Sequence, residues 1–301
     1  MLGQEEIAII GAGPAGAAAA VQLRRMGSDP LVFEEGQPGG LLRSANLVEN
    51  YPGFPDGIAG KELAELIAKQ MERFRVRLIN EKVISLDYRG GQFFLQCRSG
   101  ICRAGTAILS AGTVPRKDHG IVVSGGAADQ VFYNLESIGE GADTVIIGAG
   151  DAAFDYALNL GTRNRILILG RSNKPRALKV LVERAEERES IDYLGNVEVS
   201  VIEAEKGELL LRLKNHPEQK FPEPFDSGIP GAARAGNVLF ATGRCPATGF
   251  LSDRLIEVSK DLERQGRLFF AGDIRGRRCR QAAVAAGDGL RAAMKTGKGG
   301  R

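Results

Sequence analysis

Tryptophan, histidine and cysteine are all scarce in this sequence. Its 301 residues include no tryptophan, two histidines and four cysteines. The cysteines contain no CxxC pair and are too few for the disulfide framework of a small secreted domain. Two isolated histidines give no metal-ligand spacing. The sequence therefore predicts neither a disulfide-stabilised fold nor a metal site.

A strong excess of one charge and a long apolar run are missing as well. The formal net charge is +3, which is too mild for the concentrated basic face of a nucleic-acid-binding protein. No apolar run is long enough to span a bilayer. The chain passes almost directly into a predicted strand, which leaves no room for a signal peptide. We expect a cytoplasmic α/β protein that binds neither nucleic acid nor membrane.

Glycine, by contrast, is plentiful, and the most informative glycines form a turn near the N-terminus. The turn, Gly11-Ala-Gly-Pro-Ala-Gly16, follows the apolar run Ile7–Ile10 and leads into a predicted helix over Pro14–Met26. A second apolar run, Leu31–Phe33, ends at Glu34. Strand, glycine turn, helix and strand, with an acid about 20 residues beyond the glycines, form the fingerprint of a dinucleotide-binding βαβ unit.

Each residue of this motif has a physical reason. Gly11 allows the tight turn, Gly13 lets the backbone approach a pyrophosphate, and Gly16 lets the helix lie close to the strand. The helix N-terminus offers free N–H groups and a partial positive charge to the phosphates. Glu34 can accept hydrogen bonds from ribose hydroxyls. The motif alone does not say which dinucleotide binds.

A second unit of the same kind begins at Asp143. The segment Asp143–Gly150 reads as a strand and a glycine turn, a helix continues to about Leu160, and Arg165–Leu169 is the next strand. A further strand, Leu268–Ala271, resumes later in the chain. Two dinucleotide units with strands after the second predict one nucleotide domain inserted into another.

The remaining pattern predicts helices, hairpins and loops around these two units. Amphipathic or charged spacing predicts helices over Lys61–Phe74, Pro175–Ser190 and Gln281–Met294. Alternating strands predict hairpins around Ser99-Gly100 and Glu205–Gly207. The stretch rich in proline and glycine, Phe221–Asn237, is predicted to be loop, and the polar tail Lys295–Arg301 to be disordered.

Several sequence segments, in order along the chain, resemble the low-molecular-weight thioredoxin reductase family of flavoproteins. They are GAGPAG at 11–16, PGG at 38–40, VENYPGFP at 48–55, GAGDAA at 148–153, ATGRCPATGFL at 241–251 and FFAGDIRGRRCRQAAVAAGDG at 269–289. The resemblance covers nearly the whole chain. It implies two Rossmann-like domains of the three-layer ββα type, with a nicotinamide domain at 115–242 inserted into an FAD domain at 1–114 and 243–301. It also implies a homodimer.

The resemblance implies that FAD occupies the first site. By position in the family motifs, the FAD-binding residues are Gly11, Gly13, Ala15, Gly16, Glu34, Gly39, Gly40, Asn50, Gly272, Asp273, Arg280, Gln281 and Ala282. Asp273 would hold the ribityl or phosphate end of the cofactor. The residues from Arg280 to Ala282 would lie beside the isoalloxazine ring.

The resemblance places a nicotinamide nucleotide in the second site. The residues implied there are Gly148, Gly150, Asp151, Ala152, Ala153, Arg171 and Arg176. Because the strand Arg165–Leu169 is followed by Gly170-Arg171 and no acid, we expect NADPH rather than NADH, since arginine favours a 2′-phosphate. The family's basic signature is incomplete here, and the alternative is that nicotinamide binding has been lost.

The dithiol of the family is missing from this sequence. A thioredoxin reductase passes electrons from flavin to a CxxC just before the second glycine turn, and the corresponding stretch, Ile121–Ile138, contains no cysteine. Thiol–disulfide exchange needs an attacking thiolate. We therefore expect an FAD-dependent NAD(P)H oxidoreductase that is not a functional thioredoxin reductase. No catalytic residue is assigned, although Cys279, next to arginines, is a redox candidate.

The electron acceptor remains open at this point. A basic run that includes Arg275, Arg277 and Arg278 lies by family position at the flavin edge, and could dock an acidic carrier such as a ferredoxin, or an iron–sulfur partner enzyme. The alternatives are a flavin-binding electron-transfer partner or redox sensor in a larger assembly, and a reductase or oxidase of a small organic or low-molecular-weight disulfide substrate.

Overall fold

The computed structural model describes residues 3–276 and 279–296 of the chain. Its helices are α1 (Pro14–Arg25), α2 (Gly60–Arg73), α3 (Asp151–Leu160), α4 (Lys179–Glu186), α5 (Asp253–Arg264) and α6 (Ala282–Thr296). No helix within these residues is long and apolar enough to cross a membrane.

The strands alternate with these helices along the chain. They are β1 (Gly3–Ile10), β2 (Leu31–Phe33), β3 (Leu47–Val48), β4 (Ile58–Ala59), β5 (Arg77–Ile79), β6 (Ser85–Arg89), β7 (Gln92–Gln96), β8 (Ile101–Leu109), β9 (Thr113–Pro115), β10 (Val122–Ser124), β11 (Val131–Phe132), β12 (Thr144–Ile147), β13 (Ile166–Leu169), β14 (Ile191–Leu194), β15 (Val199–Glu205), β16 (Glu208–Leu213), β17 (Ala232–Ala235), β18 (Asn237–Phe240), β19 (Arg244–Pro246) and β20 (Leu268–Phe270).

Contacts divide the chain into two compact units. The first contains the residues up to Arg43, Leu47–Val114 and the chain from Cys245 onward. The second contains Pro115–Arg244 together with the short segment Ser44–Asn46.

The first unit is built on a seven-stranded sheet in the order β5-β2-β1-β8-β7-β6, with β20 also paired to β8. Strands β5, β2, β1, β8 and β20 run parallel, whereas β6, β7 and β8 form an antiparallel meander. Side chains alternate across β1 as a pleated strand requires. Ile7 and Ile9 pack with helices α1, α2 and α6, while Ala8 and Ile10 pack with the meander and α5.

The register brings the carboxyl ends of the parallel strands to one edge. Ile10 pairs with Phe33 of β2 and with Leu109 of β8, and Leu109 pairs with Phe270 of β20. The residues that follow these strands, including Gly11 and Glu34, therefore meet at a single edge of the sheet. Ligands of open α/β sheets bind at this edge.

The second unit repeats this plan on a five-stranded parallel sheet, in the order β11-β18-β12-β13-β14. Helices α3 and α4 cover one face. A four-stranded sheet in the order β10-β15-β16-β17 covers the other face. Ile147 of β12 pairs with Leu169 of β13 and with Phe240 of β18, so the carboxyl ends again lie side by side. The prediction of two Rossmann-like units in a mixed α/β fold is confirmed.

Two predicted elements differ from the observed ones for identifiable reasons. The helix predicted over Pro175–Ser190 is shorter, because α4 covers only Lys179–Glu186. The residues before α4 make hydrogen bonds to the second glycine turn and α3 instead of helical ones. The N–H of Arg176 donates to the carbonyl of Ala149, and the N–H of Leu178 donates to the carboxylate of Asp151. The predicted loop Phe221–Asn237 contains strand β17, whose sequence Ala-Ala-Arg-Ala has weak strand propensity and gains its order by pairing with β16.

Helix α5 was not predicted, although its sequence carries a recognisable start signal. Ser252 is the N-cap, and its side chain accepts a hydrogen bond from the N–H of Leu255 at 3.1 Å. Lys295 and Thr296, predicted to belong to a disordered tail, form the end of α6. The rest of that predicted tail lies outside the described residues.

The pair Gly287 and Gly289 on α6 provides a matched test of helix packing. A Cβ on Gly289 would meet the carbonyl oxygen of Ala15 at much less than 3.0 Å, whereas a Cβ on Gly287 would meet nothing within 4 Å. We predict that Gly289→Ala lowers the free energy of unfolding by at least ~2 kcal/mol. Gly287→Ala should raise it by about 0.5–1 kcal/mol, because alanine favours the helix. Urea denaturation measures both changes, and equal effects at the two positions would contradict this packing.

Candidate functional site

The first glycine turn has the geometry that close approach of a phosphate requires. Gly11 has φ +97°, a conformation that side chains rarely adopt, and a Cβ on Gly16 would collide with the carbonyl oxygen of Gly11. A Cβ on Gly13, in contrast, would meet nothing within 4 Å. Gly13 is the N-cap of α1 and has extended backbone. The first turn of α1 therefore opens onto free space in which a pyrophosphate can lie against backbone N–H groups.

Glu34 is held against this turn by two backbone hydrogen bonds. Its Oε2 accepts from the N–H of Ala12 at 2.6 Å, and its Oε1 accepts from the N–H of Gly36 at 3.0 Å. A carboxylate has about four lone-pair sites, so capacity remains for ribose hydroxyls. The side chain therefore lies beside both the turn and the end of β2.

Two further glycine segments lie against the same helix start. The N–H of Gly39 donates to the carbonyl of Ala12 at 2.9 Å, and a Cβ on Gly40 would touch Cα of Gly13 at 3.3 Å. Gly272, at φ +73°, lies against the side chain of Ala15 and precedes Asp273. The fold thus gathers residues that are far apart in the sequence around the N-terminus of α1.

The residues predicted for the flavin side also come together. The side-chain amide of Asn50 donates to Oε1 of Gln281 at 2.8 Å, although 231 positions separate them. Arg280 and Gln281 immediately precede the N-terminus of α6 at Ala282. Backbone N–H groups at a helix start can stabilise negative charge. Arg277 and Arg278 lie outside the described residues. Arg275 is turned toward the protein, and its Nη1 donates to the carbonyl of Phe270 at 2.7 Å.

The second glycine turn repeats the first within its own unit. Gly148 has φ +135°, and a Cβ there would collide with the carbonyl oxygen of Ala241, which follows β18. Gly150 is the N-cap of α3, and a Cβ on it would meet nothing within 4 Å. The start of α3 therefore opens onto free space in the same way as the start of α1.

The segment after β13 folds back over this turn. The N–H of Arg176 donates to the carbonyl of Ala149 at 2.7 Å, and Asp151 accepts from the N–H of Leu178 at 2.8 Å. Asp151 therefore has a structural contact that the sequence did not indicate. The side chains of Arg171 and Arg176 are exposed, so both cations are available to a phosphate.

A stack of three rings at the carboxyl edge of this second sheet was not found from the sequence. The ring of His119 lies on that of Phe240, with centroids 3.9 Å apart and planes 6° apart, and Tyr133 lies next to both. Nε2 of His119 and the hydroxyl of Tyr133 are 3.0 Å apart. Burial lowers the pKa of His119 and raises the pKa of Tyr133. Burial therefore favours the neutral form of both side chains.

The cysteines differ sharply in their surroundings. Cys97 and Cys102 are fully buried, and desolvation raises the pKa of each thiol to about 11. Neither supplies a thiolate at neutral pH. Cys245 is half-buried and Cys279 is exposed, and all four are free.

These features define a class of protein. Each unit presents a glycine turn at the carboxyl edge of its own parallel sheet, followed by a helix whose N-terminus is open to a phosphate. Two such turns on one chain are typical of α/β oxidoreductases that use two dinucleotides.

Comparison with known proteins identifies the family. Residues 5–289 match the family model described as pyridine nucleotide-disulphide oxidoreductase. Thioredoxin reductase 2 of Arabidopsis thaliana is 32% identical over 96% of this chain and 80% of its own length. The thioredoxin reductase of Mycolicibacterium smegmatis is also 32% identical, over 96% of this chain and 94% of its own. The chain belongs to the pyridine nucleotide-disulphide oxidoreductase family, and the predicted resemblance to thioredoxin reductases is confirmed.

Solved structures agree with this assignment. The crystal structure of Lactococcus lactis thioredoxin reductase has a TM-score of 0.78 and 25% identity, with 98% of both chains covered. The bacillithiol disulfide reductase of Bacillus cereus has a TM-score of 0.69 at 18% identity, over 98% of this chain and 99% of its own, which shows a shared fold. The family match and the thioredoxin reductase relatives identify the protein as an FAD-dependent NAD(P)H oxidoreductase.

A partly buried carboxylate in α3, that of Asp155, provides a pH-dependent test of the second unit. Burial raises the pKa of Asp155 to about 6, and nearby Asp151 adds to the shift, although the N–H of Asn46 donates to both carboxylate oxygens at 3.2 Å and opposes it. Above pH 6 the folded protein bears the cost of a partly desolvated charge. As the pH falls through 6 the folded state protonates first, and that cost disappears.

We therefore predict that Asp155→Asn stabilises the protein at pH 7.5 by about 1–3 kcal/mol. The gain should vanish near pH 4, where the native carboxyl is neutral. The asparagine oxygen can still accept from Asn46. Thermal denaturation at both pH values measures the change, with Asp118→Asn as control, because the side chain of Asp118 is 86% exposed. A gain that is the same at both pH values would contradict the buried charge.

Proposed function

We propose that this chain takes hydride from NADPH onto FAD and passes the electrons to an acceptor without a cysteine pair of its own. The observation that carries the proposal is the absence of cysteine from Ile121–Ile138, where thioredoxin reductases are expected to have a redox dithiol. Cys97 and Cys102 do not replace it, since both are buried with a raised pKa.

FAD fits the first turn as the described residues form it. The open space at Gly13 and the N-terminus of α1 suit the pyrophosphate, and Glu34 suits the adenosine ribose. The other residues proposed to hold it are Gly11, Ala15, Gly16, Gly39, Gly40, Asn50, Gly272, Asp273, Arg280, Gln281 and Ala282. When bound, FAD supplies the hydride and electron chemistry. The chain supplies binding and, at the start of α6, backbone N–H groups that favour negative charge on the flavin.

NADPH fits the second turn better than NADH. No acid follows β13 to bind a ribose diol, and the exposed cations Arg171 and Arg176 can pair with a 2′-phosphate. The open N-terminus of α3 suits the pyrophosphate, at Gly148, Gly150 and Asp151–Ala153. Hydride transfer needs no general base, and none is assigned.

The acceptor we propose is an acidic one-electron carrier of the ferredoxin type, or an iron–sulfur partner enzyme. Support comes from the basic run that contains Arg277 and Arg278, because clustered positive charge steers an acidic partner. We infer that the protein acts in the cytoplasm as a homodimer, on the basis of its family resemblance.

Alanine substitutions at the two N-cap glycines should separate the two nucleotide sites. Both glycines have extended backbone and open space at Cβ, so each substitution should leave the fold intact. Gly13→Ala should purify with little FAD, because its methyl group occupies the place of the pyrophosphate. Gly150→Ala should keep its FAD and bind NADP⁺ at least about tenfold more weakly. Each variant is the control for the other. Loss of both ligands in both variants would contradict separate sites.

Anaerobic stopped-flow mixing tests the proposed function directly. NADPH should bleach the flavin absorbance quickly, and NADH should do so at least about tenfold more slowly. Thioredoxin disulfide should not reoxidise the reduced protein, whereas a ferredoxin-type carrier should, at a rate that falls with salt. If neither nucleotide bleached the flavin, the proposed hydride transfer from a nicotinamide nucleotide would be contradicted. Rapid turnover with thioredoxin would contradict the proposal that the acceptor is not a thioredoxin.

A further inference from the structure

Thr242 lies directly beyond the last ladder hydrogen bond of β18. The N–H of Ala241 donates to the carbonyl of Ile147 at 2.8 Å, and the carbonyl of Ala241 is the group that a Cβ on Gly148 would strike. The end of β18 is therefore pressed against the second glycine turn. Thr242 is the next residue along the chain.

The hydroxyl of Thr242 is buried and has no hydrogen-bond partner among the described residues. A buried hydroxyl without a partner is costly, and valine would fill the same volume without that cost. Thr144, at the opposite end of the same sheet, shows the ordinary arrangement. Its hydroxyl is also buried but donates to the carbonyl of Ala142 at 2.9 Å. The unpaired hydroxyl at Thr242 therefore needs a reason outside the packing of the sheet.

The order of strands indicates which part of a bound nucleotide lies near Thr242. From β12 the chain proceeds to β13 and β14 on one side, while β18 lies on the other side, so the topological switch point is between β12 and β18. A bound adenosine half would lie toward β13, where Arg171 follows the strand. The pyrophosphate would lie on the N-terminus of α3. The remaining half, the nicotinamide riboside, would then be directed toward β18.

The backbone after Thr242 leaves room for that half. Gly243 has φ +113°, and a Cβ on it would meet nothing within 4 Å. A hydroxyl can both donate and accept a hydrogen bond. It therefore matches the ribose hydroxyls or the carboxamide of a nicotinamide riboside.

We propose that the Thr242 hydroxyl hydrogen-bonds the nicotinamide half of NADPH and so fixes the position of the ring. This inference rests on the proposed use of NADPH. Thr242 is a positioning residue, and its contribution appears in the binding of a nucleotide that carries the nicotinamide half, but not in the binding of the adenosine half alone.

The test is calorimetric titration of the FAD-loaded, oxidised protein with NADP⁺ and, separately, with adenosine 2′,5′-bisphosphate, which lacks the nicotinamide half. Thr242→Val should weaken NADP⁺ binding about five- to tenfold and leave the Kd of the bisphosphate within about twofold. Its melting temperature should equal or exceed that of the unaltered protein. Thr144→Val is the matched control, and it should lower the melting temperature without changing either Kd.

The outcomes separate this inference from the proposed function. If Thr242→Val binds NADP⁺ as tightly as the unaltered protein, or weakens both ligands equally, the inference is overturned while the use of NADPH stands. If the unaltered protein binds neither ligand, the proposed use of NADPH fails and the role of Thr242 fails with it. Selective weakening of NADP⁺ supports both.

Discussion

The close approach of α1 to the end of β1 is the constraint on which the first unit depends. At Gly16 there is no space for a methyl group, because the carbonyl oxygen of Gly11 after β1 occupies it. Gly289 of α6 lies equally close to the carbonyl oxygen of Ala15 in α1, so α6 packs beside α1, and Gly272 also lies against Ala15. The C-terminal part of the chain thereby lies against the glycine turn near the N-terminus, where the candidate site begins.

The second unit has an equivalent contact at its own glycine turn. A Cβ on Gly148 would meet the carbonyl oxygen of Ala241 after β18, just as a Cβ on Gly11 would meet that of Ser110 after β8. The second unit also contains a partly buried carboxylate with a raised pKa, at Asp155, and a buried hydroxyl without a hydrogen-bond partner among the described residues, at Thr242. Groups of this kind are typical of sites that bind a ligand or change shape.

The sequence predicted those helices, strands and turns that are determined by neighbouring residues. Glycine turns, buried strands and the helix after each turn follow from spacing and backbone freedom, and so α1 and α3 began where they were expected. Elements that depend on partners far along the chain were less visible, as β17 shows, because alanine gives no strand signal until β16 lies beside it. Individual contacts such as Asn50 with Gln281, or His119 on Phe240, depend on the assembled fold and have no local signature. The missing dithiol is the reverse case, since it is evident from the sequence alone.

The proposed electron transfer without a dithiol fixes how many electrons the protein should hold. A flavin takes up two electrons, and a disulfide takes up two more. Anaerobic titration of the FAD-loaded protein with dithionite, followed by flavin absorbance and a count of newly formed thiols, measures this capacity. Two electrons per FAD without new thiols is the expected result. Four electrons per FAD, with two thiols appearing, would show a redox-active cysteine pair and contradict electron transfer without a dithiol.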